Sequence, residues 1–172
     1  MYDDAGRLTS ATNGTDTLTW TYDASGFLLS ETSARNGTTV SYTPTAGGLR
    51  AGVLLGGSSV ASYRYDDAWR LIGITSAAGD ISLGYDDGWR RTSLSFPNGV
   101  ATSYGYDDAL RLEQITALLG ATPVSTAAYG YDAGFNRVSK LVNGVQETYG
   151  YDVLDRLRAA TVAAGARTDW TY

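Results

Sequence analysis

A chain of 172 residues with no histidine and no cysteine leaves few groups able to do chemistry. Thiolate nucleophiles, disulfides, Cys/His zinc sites and imidazole acid–base steps are all excluded. Serine and threonine are abundant, but no histidine can activate them. The sole lysine, Lys140, lies in a strand-like run beside a hairpin tip with no serine motif around it. Carboxylates are mostly aspartates, fifteen against three glutamates, and several are paired, at Asp3-Asp4, Asp66-Asp67, Asp86-Asp87 and Asp107-Asp108. Such hard ligands suit calcium, yet none sits in an EF-hand loop or in a glycine-rich nonapeptide repeat. A glycosidase needs one asymmetric acid and base facing a cleft, which regularly repeated carboxylates do not supply. The residues therefore predict no catalytic group, no cofactor and no metal site, in a chain that is not an enzyme.

What positions the aspartates is a repeat. Tyr-Asp recurs at Tyr2-Asp3, Tyr22-Asp23, Tyr65-Asp66, Tyr85-Asp86, Tyr106-Asp107, Tyr131-Asp132 and Tyr151-Asp152. With Tyr42 taken as a degenerate copy and Tyr172 as the start of a truncated one, the tyrosines step by 20, 20, 23, 20, 21, 25, 20 and 21 residues. A fixed period of this size marks one small unit copied about eight times, a single array over residues 1–172. Aspartate in place of glutamate favours turns over helices, which points to an all-β chain.

Each unit reads as a β-hairpin. In the first, Leu18, Trp20 and Tyr22 alternate with Thr17, Thr19 and Thr21, the period of a strand with one apolar and one polar face. Asn13-Gly14, Asn36-Gly37, Asn98-Gly99 and Asn143-Gly144 are read as two-residue type I′ tips, with Gly56-Gly57, Ala78-Gly79 and Ala164-Gly165 as weaker substitutes. Tips and Tyr-Asp turns alternate about every ten residues, so the strands must run antiparallel as an up-and-down meander of about sixteen. The third unit is expected to gain three residues in the Tyr42 to Arg50 turn, and the sixth to gain five in a long tip around Leu119 to Pro123. Insertions confined to turns would leave strand register intact. Ala109 to Leu119 is the stretch most like a helix, but it starts in phase with a Tyr-Asp turn and is read as strand.

Charge and hydropathy bound the partners. A net charge of −5 and a pI near 4.6 provide no basic stripe for phosphates, so no nucleic acid is expected. No apolar run approaches the ~20 residues of a membrane span, so no membrane insertion is expected either. The chain opens on Met1-Tyr2-Asp3 and stops on Tyr172 where an aspartate should follow, which suggests a segment of a longer protein with two open sheet edges.

Within the motif, the aspartate is expected to accept backbone N–H bonds and fix the turn, while Gly6, Gly26 or Gly88 supplies permissive φ. Arg7, Arg70, Arg90, Arg111, Arg137 and Arg156 have flat guanidiniums suited to stacking on the tyrosines while reaching a turn carboxylate. One reading is a ladder of mutual support. The other makes the aromatics and arginines a stripe for a surface glycan.

Tyr2-Asp3-Asp4-Ala5-Gly6-Arg7-Leu8, Tyr106-Asp107-Asp108-Ala109-Leu110-Arg111-Leu112 and Tyr151-Asp152-Val153-Leu154-Asp155-Arg156-Leu157 resemble the YD repeat, also called the RHS repeat. The resemblance runs over essentially the whole chain. It departs at Tyr42-Thr43, which lacks the aspartate, at Phe27 and Arg91, and at Asn136, which shifts the Tyr131 copy by one. The family includes bacterial Rhs toxins, C components of insecticidal toxin complexes, wall-associated proteins and teneurins. The resemblance implies hairpins spiralling as a hollow shell or tube wall, a secreted or cell-surface bacterial setting, and containment of a toxin domain. The alternative it leaves is an extracellular filament or surface adhesin. Expected partners are further copies of the same repeat, within the chain or end to end, and an enclosed toxin domain or surface glycan.

Overall fold

The computed structural model describes residues 1–163 and 165–171, and every regular element in them is a strand. Sixteen strands follow one another in chain order as antiparallel neighbours of an open sheet, so the up-and-down meander is borne out. The chain divides into two compact units, Met1–Ile81 and Ser82–Tyr172. The first holds β1 (Ser10–Thr12), β2 (Thr17–Tyr22), β3 (Leu28–Ser33), β4 (Thr39–Pro44), β5 (Arg50–Leu55), β6 (Ser58–Tyr65) and β7 (Leu71–Ser76). After β8 (Gly79–Tyr85), which straddles the division, the second holds β9 (Arg91–Ser95), β10 (Val100–Tyr106), β11 (Leu112–Leu119), β12 (Thr122–Tyr131), β13 (Arg137–Val142), β14 (Val145–Tyr151), β15 (Leu157–Val162) and β16 (Arg167–Asp169).

Strict alternation gives the sheet two unlike faces. The register pairs Trp20 with Glu31, Tyr42 with Val53 and Tyr63 with Ile74 on an aromatic and aliphatic face. It pairs Thr19 with Thr32, Thr21 with Ser30 and Ser30 with Ser41 on a hydroxyl face. There, Thr12 and Thr17, Thr21 and Ser30, and Thr32 and Thr39 share hydroxyl bonds of 2.9, 2.6 and 2.9 Å. Within each unit, the described residues form no second layer over either face. Among the described residues no side chain is fully buried, and Gly52 and Gly73 are the buried residues. β-branched and aromatic residues hold such a sheet through backbone ladders and cross-strand pairs, each worth about 0.2–1 kcal/mol.

The ladder slips by one residue just before the motif position at Thr21/Tyr22, Thr43/Pro44, Arg64/Tyr65, Gly84/Tyr85, Gly105/Tyr106, Gly130/Tyr131 and Gly150/Tyr151. A β-bulge at the same place in successive repeats bends and twists each strand pair in the same sense. It also crowds the hydroxyl face. A Cβ on Gly130 would stand 2.5 Å from Ser139 Oγ, one on Gly52 2.7 Å from Thr43 Oγ1, and one on Gly84 would collide with Ser93 Oγ. Of the three Tyr-Gly-Tyr copies, crowding requires the glycine only at Gly130; a Cβ on Gly105 or Gly150 would meet its nearest neighbour at an ordinary 3.5 or 3.7 Å.

Several tip expectations are corrected. Asn143-Gly144 is a two-residue turn with both φ positive, 48° and 85°, and so is Gly56-Gly57, at 56° and 85°. At Asn13-Gly14 and Asn36-Gly37 only the glycine is left-handed. Extra loop residues let Asn13 Oδ1 accept from the backbone N–H of Thr15 and Asp16, and Asn36 Oδ1 from that of Thr38, making side-chain turns in place of type I′. At Asn98-Gly99 the loop has three residues, Pro97 to Gly99, closed by Gly99 N to Phe96 O at 3.0 Å, with Gly99 left-handed. Ala164-Gly165 lies partly outside the described residues, as does the Tyr172 copy.

The long sixth tip is not a long tip. Leu119 pairs with Thr122 around a two-residue turn, Gly120-Ala121, with Gly120 at φ 61°. The added residues lengthen β11 and β12 instead, and a second bulge between Ala117 and Leu118 absorbs the odd one where Pro123 could not have held regular pairing. Insertion therefore does disturb register here. Leu112–Leu119 is a strand, as read.

Candidate functional site

The seven-residue Tyr-Asp turn concentrates the charged and aromatic residues, and its local geometry is repeated eight times. The second residue donates its N–H to the sixth residue's carbonyl at 2.6–3.0 Å, from Asp3 to Arg7 through Asp152 to Arg156. The fifth residue donates to the second residue's carbonyl at 2.9–3.2 Å. The second residue's side chain accepts from the sixth residue's N–H at 2.8–3.0 Å. This is a tight turn followed by a left-handed residue, locked from inside by one short oxygen-bearing side chain.

The eight copies expose the third one. Thr45 takes the aspartate position, with Thr45 N donating to Leu49 O and Leu49 N to Thr45 Oγ1 at 3.0 Å. Pro44 therefore holds the tyrosine position, and its partner Arg50 the leucine position. The reading of Tyr42 as the copy is corrected. Tyr42 is the strand aromatic two residues earlier, equivalent to Trp20 and Tyr63. No residues are added in this turn; Pro44 lies 22 residues after Tyr22 and 21 before Tyr65. The hydroxyl of threonine accepts the same backbone bond as a carboxylate, so the turn survives without its signal residues.

The fifth position also departs from expectation. Gly6, Gly26 and Gly48 are left-handed there, but so are Trp69, Trp89, Leu110, Phe135 and Asp155, with φ between 57° and 67°. Gly88 is the fourth residue of its turn; the left-handed one is Trp89.

Around the lock sit the ion pairs. Nε of Arg7, Arg70, Arg90, Arg111 and Arg156 donates to Oδ2 of Asp3, Asp66, Asp86, Asp107 and Asp152, each at 2.7 Å. These five carboxyls are held below the usual aspartate range, first by the sixth residue's backbone N–H, with the arginine side chain adding to it. In the Tyr131 turn, Asn136 replaces the arginine and donates to Asp132 Oδ2 at 3.2 Å. Arg137 therefore takes the leucine position and does not reach that carboxylate; its guanidinium lies over Tyr149 at 4.9 Å and Tyr129 at 5.7 Å.

Neighbouring turns are stapled to one another. Arg7, Arg90 and Arg111 lie over the next turn's Tyr22, Tyr106 and Tyr131, at 4.9, 4.7 and 4.7 Å. Nη1 of Arg7 and Arg111 reaches the next turn's Asp23 and Asp132 carbonyls at 2.8 and 3.0 Å. In return Tyr22, Tyr65, Tyr106, Tyr131 and Tyr151 donate their hydroxyls to the carbonyls of Leu8, Arg50, Arg91, Leu112 and Arg137, at 2.8–3.0 Å. Tyr85 stands at the same motif position. Tyr2 is 71% exposed.

The second-position carboxylates are met within their own turns, while Arg90 Nη1 is buried without a hydrogen-bond partner among the described residues. Among the described residues no group of three or more carboxylates could hold a metal ion. Two further clusters lie on the aromatic face. Glu31 accepts from Tyr42 and, at 3.4 Å, from Trp20 Nε1, with Arg50 over Tyr42 at 4.1 Å. Glu147 accepts from Tyr149 at 2.5 Å and Lys140 at 3.1 Å. The Glu31 bond raises the Tyr42 phenol, burial followed by the Glu147 bond raises Tyr149, and the Tyr149 and Lys140 bonds lower Glu147. Sequence reasoning missed these clusters; the signal was the placement of two of three glutamates on the apolar side of a strand.

The RHS repeat family profile matches residues 2–38, the first hairpin and the second as far as its tip. The same turn geometry then continues through six further copies. Residues 2–38 are thus an RHS repeat, and the turns that follow share its geometry. Comparison with solved structures places the same fold in the TcdB2–TccC3 complex. One structure, without the hypervariable C-terminal region, has a TM-score of 0.78 at 16% identity over 98% of this chain. Another, with Cdc42, has 0.73 at 20% over 90%. The Photorhabdus luminescens Tc holotoxin pore gives 0.50 at 22% over 84%. The RHS array described here spans 11, 9 and 7% of those chains, a small part of their length. None of the curated protein sequences compared with the chain matches it.

Proposed function

We propose that this RHS array is a non-catalytic wall segment of a secreted bacterial β-shell that encloses or displays a cargo domain. The observation that carries the reading is a sheet with no core, in which the charged and aromatic residues of the motif bond to their own or the next turn. A binding or catalytic site keeps groups aimed at a ligand, whereas these hold one repeat to another. Regular bulges supply the bending a wall needs. The fold shared with TcdB2–TccC3 supports the reading, since RHS repeats of insecticidal toxin complexes are the shells this sequence resembles.

Electron microscopy of the complete polypeptide that carries these residues tests it. Closed hollow particles with internal density are expected, along with protease resistance of the enclosed region. Extended filaments would overturn containment and favour a surface fibre.

A further inference from the structure

The fifth turn residue is where the array departs most from what its backbone favours. A side chain in the left-handed region carries a penalty of roughly five- to thirtyfold in an equilibrium constant, which glycine avoids. Yet five copies place Trp69, Trp89, Leu110, Phe135 or Asp155 there, and the four apolar ones are 58–64% exposed. Neither backbone preference nor burial accounts for the choice.

For Phe135, Asp155 and Trp69, where the side chain goes does account for it. Phe135 turns toward the preceding turn, with the Arg111 guanidinium 5.0 Å from its ring. Asp155 does the same by hydrogen bonding: Asn136 Nδ2 donates to its Oδ1 at 2.8 Å. The Trp69 indole lies over Gly47 of the preceding turn, where any Cβ would collide with the ring. Gly26 leaves the space open, and Arg7 Nη1, 3.8 Å from where a Cβ would stand, passes through to the Asp23 carbonyl. The chemistry is matched in each case: an aromatic face meets a guanidinium, a carboxylate meets an amide, and an indole meets a glycine. Asp155 placed over Phe27 would find no donor.

We propose that the fifth residue of each Tyr-Asp turn is a pairing key, a specificity-determining contact that selects the sixth or fourth residue of the turn before it. The left-handed backbone aims the side chain backward along the rim, so one residue reports the identity of its neighbour and repeats are not interchangeable. The key adds to the recurring staple of tyrosine hydroxyl and arginine, which uses the same two residue types wherever it occurs and so cannot distinguish those copies.

Amide hydrogen exchange on the whole 172-residue chain reads each turn separately. Asn136→Ala, Asp155→Ala and the double variant form one cycle, in which Asp155→Ala keeps a side chain on the left-handed residue. Each single change should lower protection of the Asp132 and Asn136 amides, and the two should be coupled by at least about threefold. Additive effects would overturn the proposal. For the second pair, Phe135→Gly should raise protection of its own turn by removing backbone strain while lowering that of the Asp107 and Arg111 amides at least twofold. Phe135→Leu, which retains the strain and the bulk but not the ring, should lower the same two amides. Unchanged protection at Asp107 and Arg111 in both variants would mean that Phe135 is only tolerated there.

Discussion

The aspartate of the Tyr-Asp turn does at one residue what a loop would need several to do, accepting the sixth residue's N–H with one oxygen and, in five copies, an arginine with the other. Because those carboxyls are lowered in the folded state, their contribution is fully present above the unfolded value near pH 4 and is lost as pH falls through the lowered folded value. Urea midpoints should therefore be flat from about pH 7 to 5 and fall steeply below about pH 4; flat midpoints down to pH 2.5 would sink this account. Asp107→Asn should be milder than Asp107→Ala, because an amide oxygen can still lock the turn, as the Thr45 hydroxyl does. Tyr131→Phe removes the 2.8 Å bond to the Leu112 carbonyl and should cost about 1 kcal/mol by chemical denaturation, with the ring still under Arg111. The aspartate lock and the arginine between ring and carboxylate were legible from residue type and spacing; the tyrosine hydroxyl's bond to the preceding turn was not. Thr45 and Pro44 were not, since a hydroxyl can replace a carboxylate at the lock while the nearest tyrosine, Tyr42, belongs to the strand.

At the scale of the strand pair, the determining feature is the bulge ahead of each turn, and period-two alternation cannot reveal it because the slip adds a residue without changing the apolar pattern before it. Its trace in sequence is one small residue per opposed pair. Glycine stands on the earlier strand at Gly84, Gly105, Gly130 and Gly150, and on the later strand at Gly52 and Gly73, opposite Thr43 and Arg64. Where one of the two is glycine the other keeps its side chain, while Thr21 and Ser30 fit together by sharing a hydroxyl bond. Gly130→Val, pressed against Ser139, should destabilise by about 1–3 kcal/mol through overpacking. Gly130→Ser combined with Ser139→Gly should recover most of what Gly130→Ser loses, since it copies the arrangement at Gly73. Calorimetry of the three variants checks this, and equal losses in the single and double variants would refute it. The hairpin tips show the same limit on reading: Asn-Gly marks a tip each time, but the number of neighbouring residues decides whether the asparagine goes left-handed or caps the loop with its side chain.

For the whole molecule, a sheet without a core has consequences in solution. Its aromatic face is covered by side chains of its own layer alone, and Leu18, Leu55 and Val145 are 40–52% exposed. β16, at one end of the strand order, leaves one row of backbone groups without a strand partner, and so does β1 at the other end except at Ser10, whose N–H and carbonyl bond to Met1. Neither end strand carries proline or lysine, the usual means of blocking an edge, and β16 matches Arg167 with Asp169 at 2.6 Å, so its charges are already paired with each other. The 172 residues alone should therefore self-associate, edge to edge, with a mass that rises with concentration in light scattering. A net charge of −5 opposes this over a Debye length of about 10 Å at 0.1 M salt, so raising salt to about 1 M should strengthen association. Screening would instead weaken a contact made by ion pairs between chains, so the sign of the salt effect separates a backbone edge from an electrostatic one. A monodisperse monomer at about 100 μM in both salts would show that the edges are closed by something the strand order does not contain.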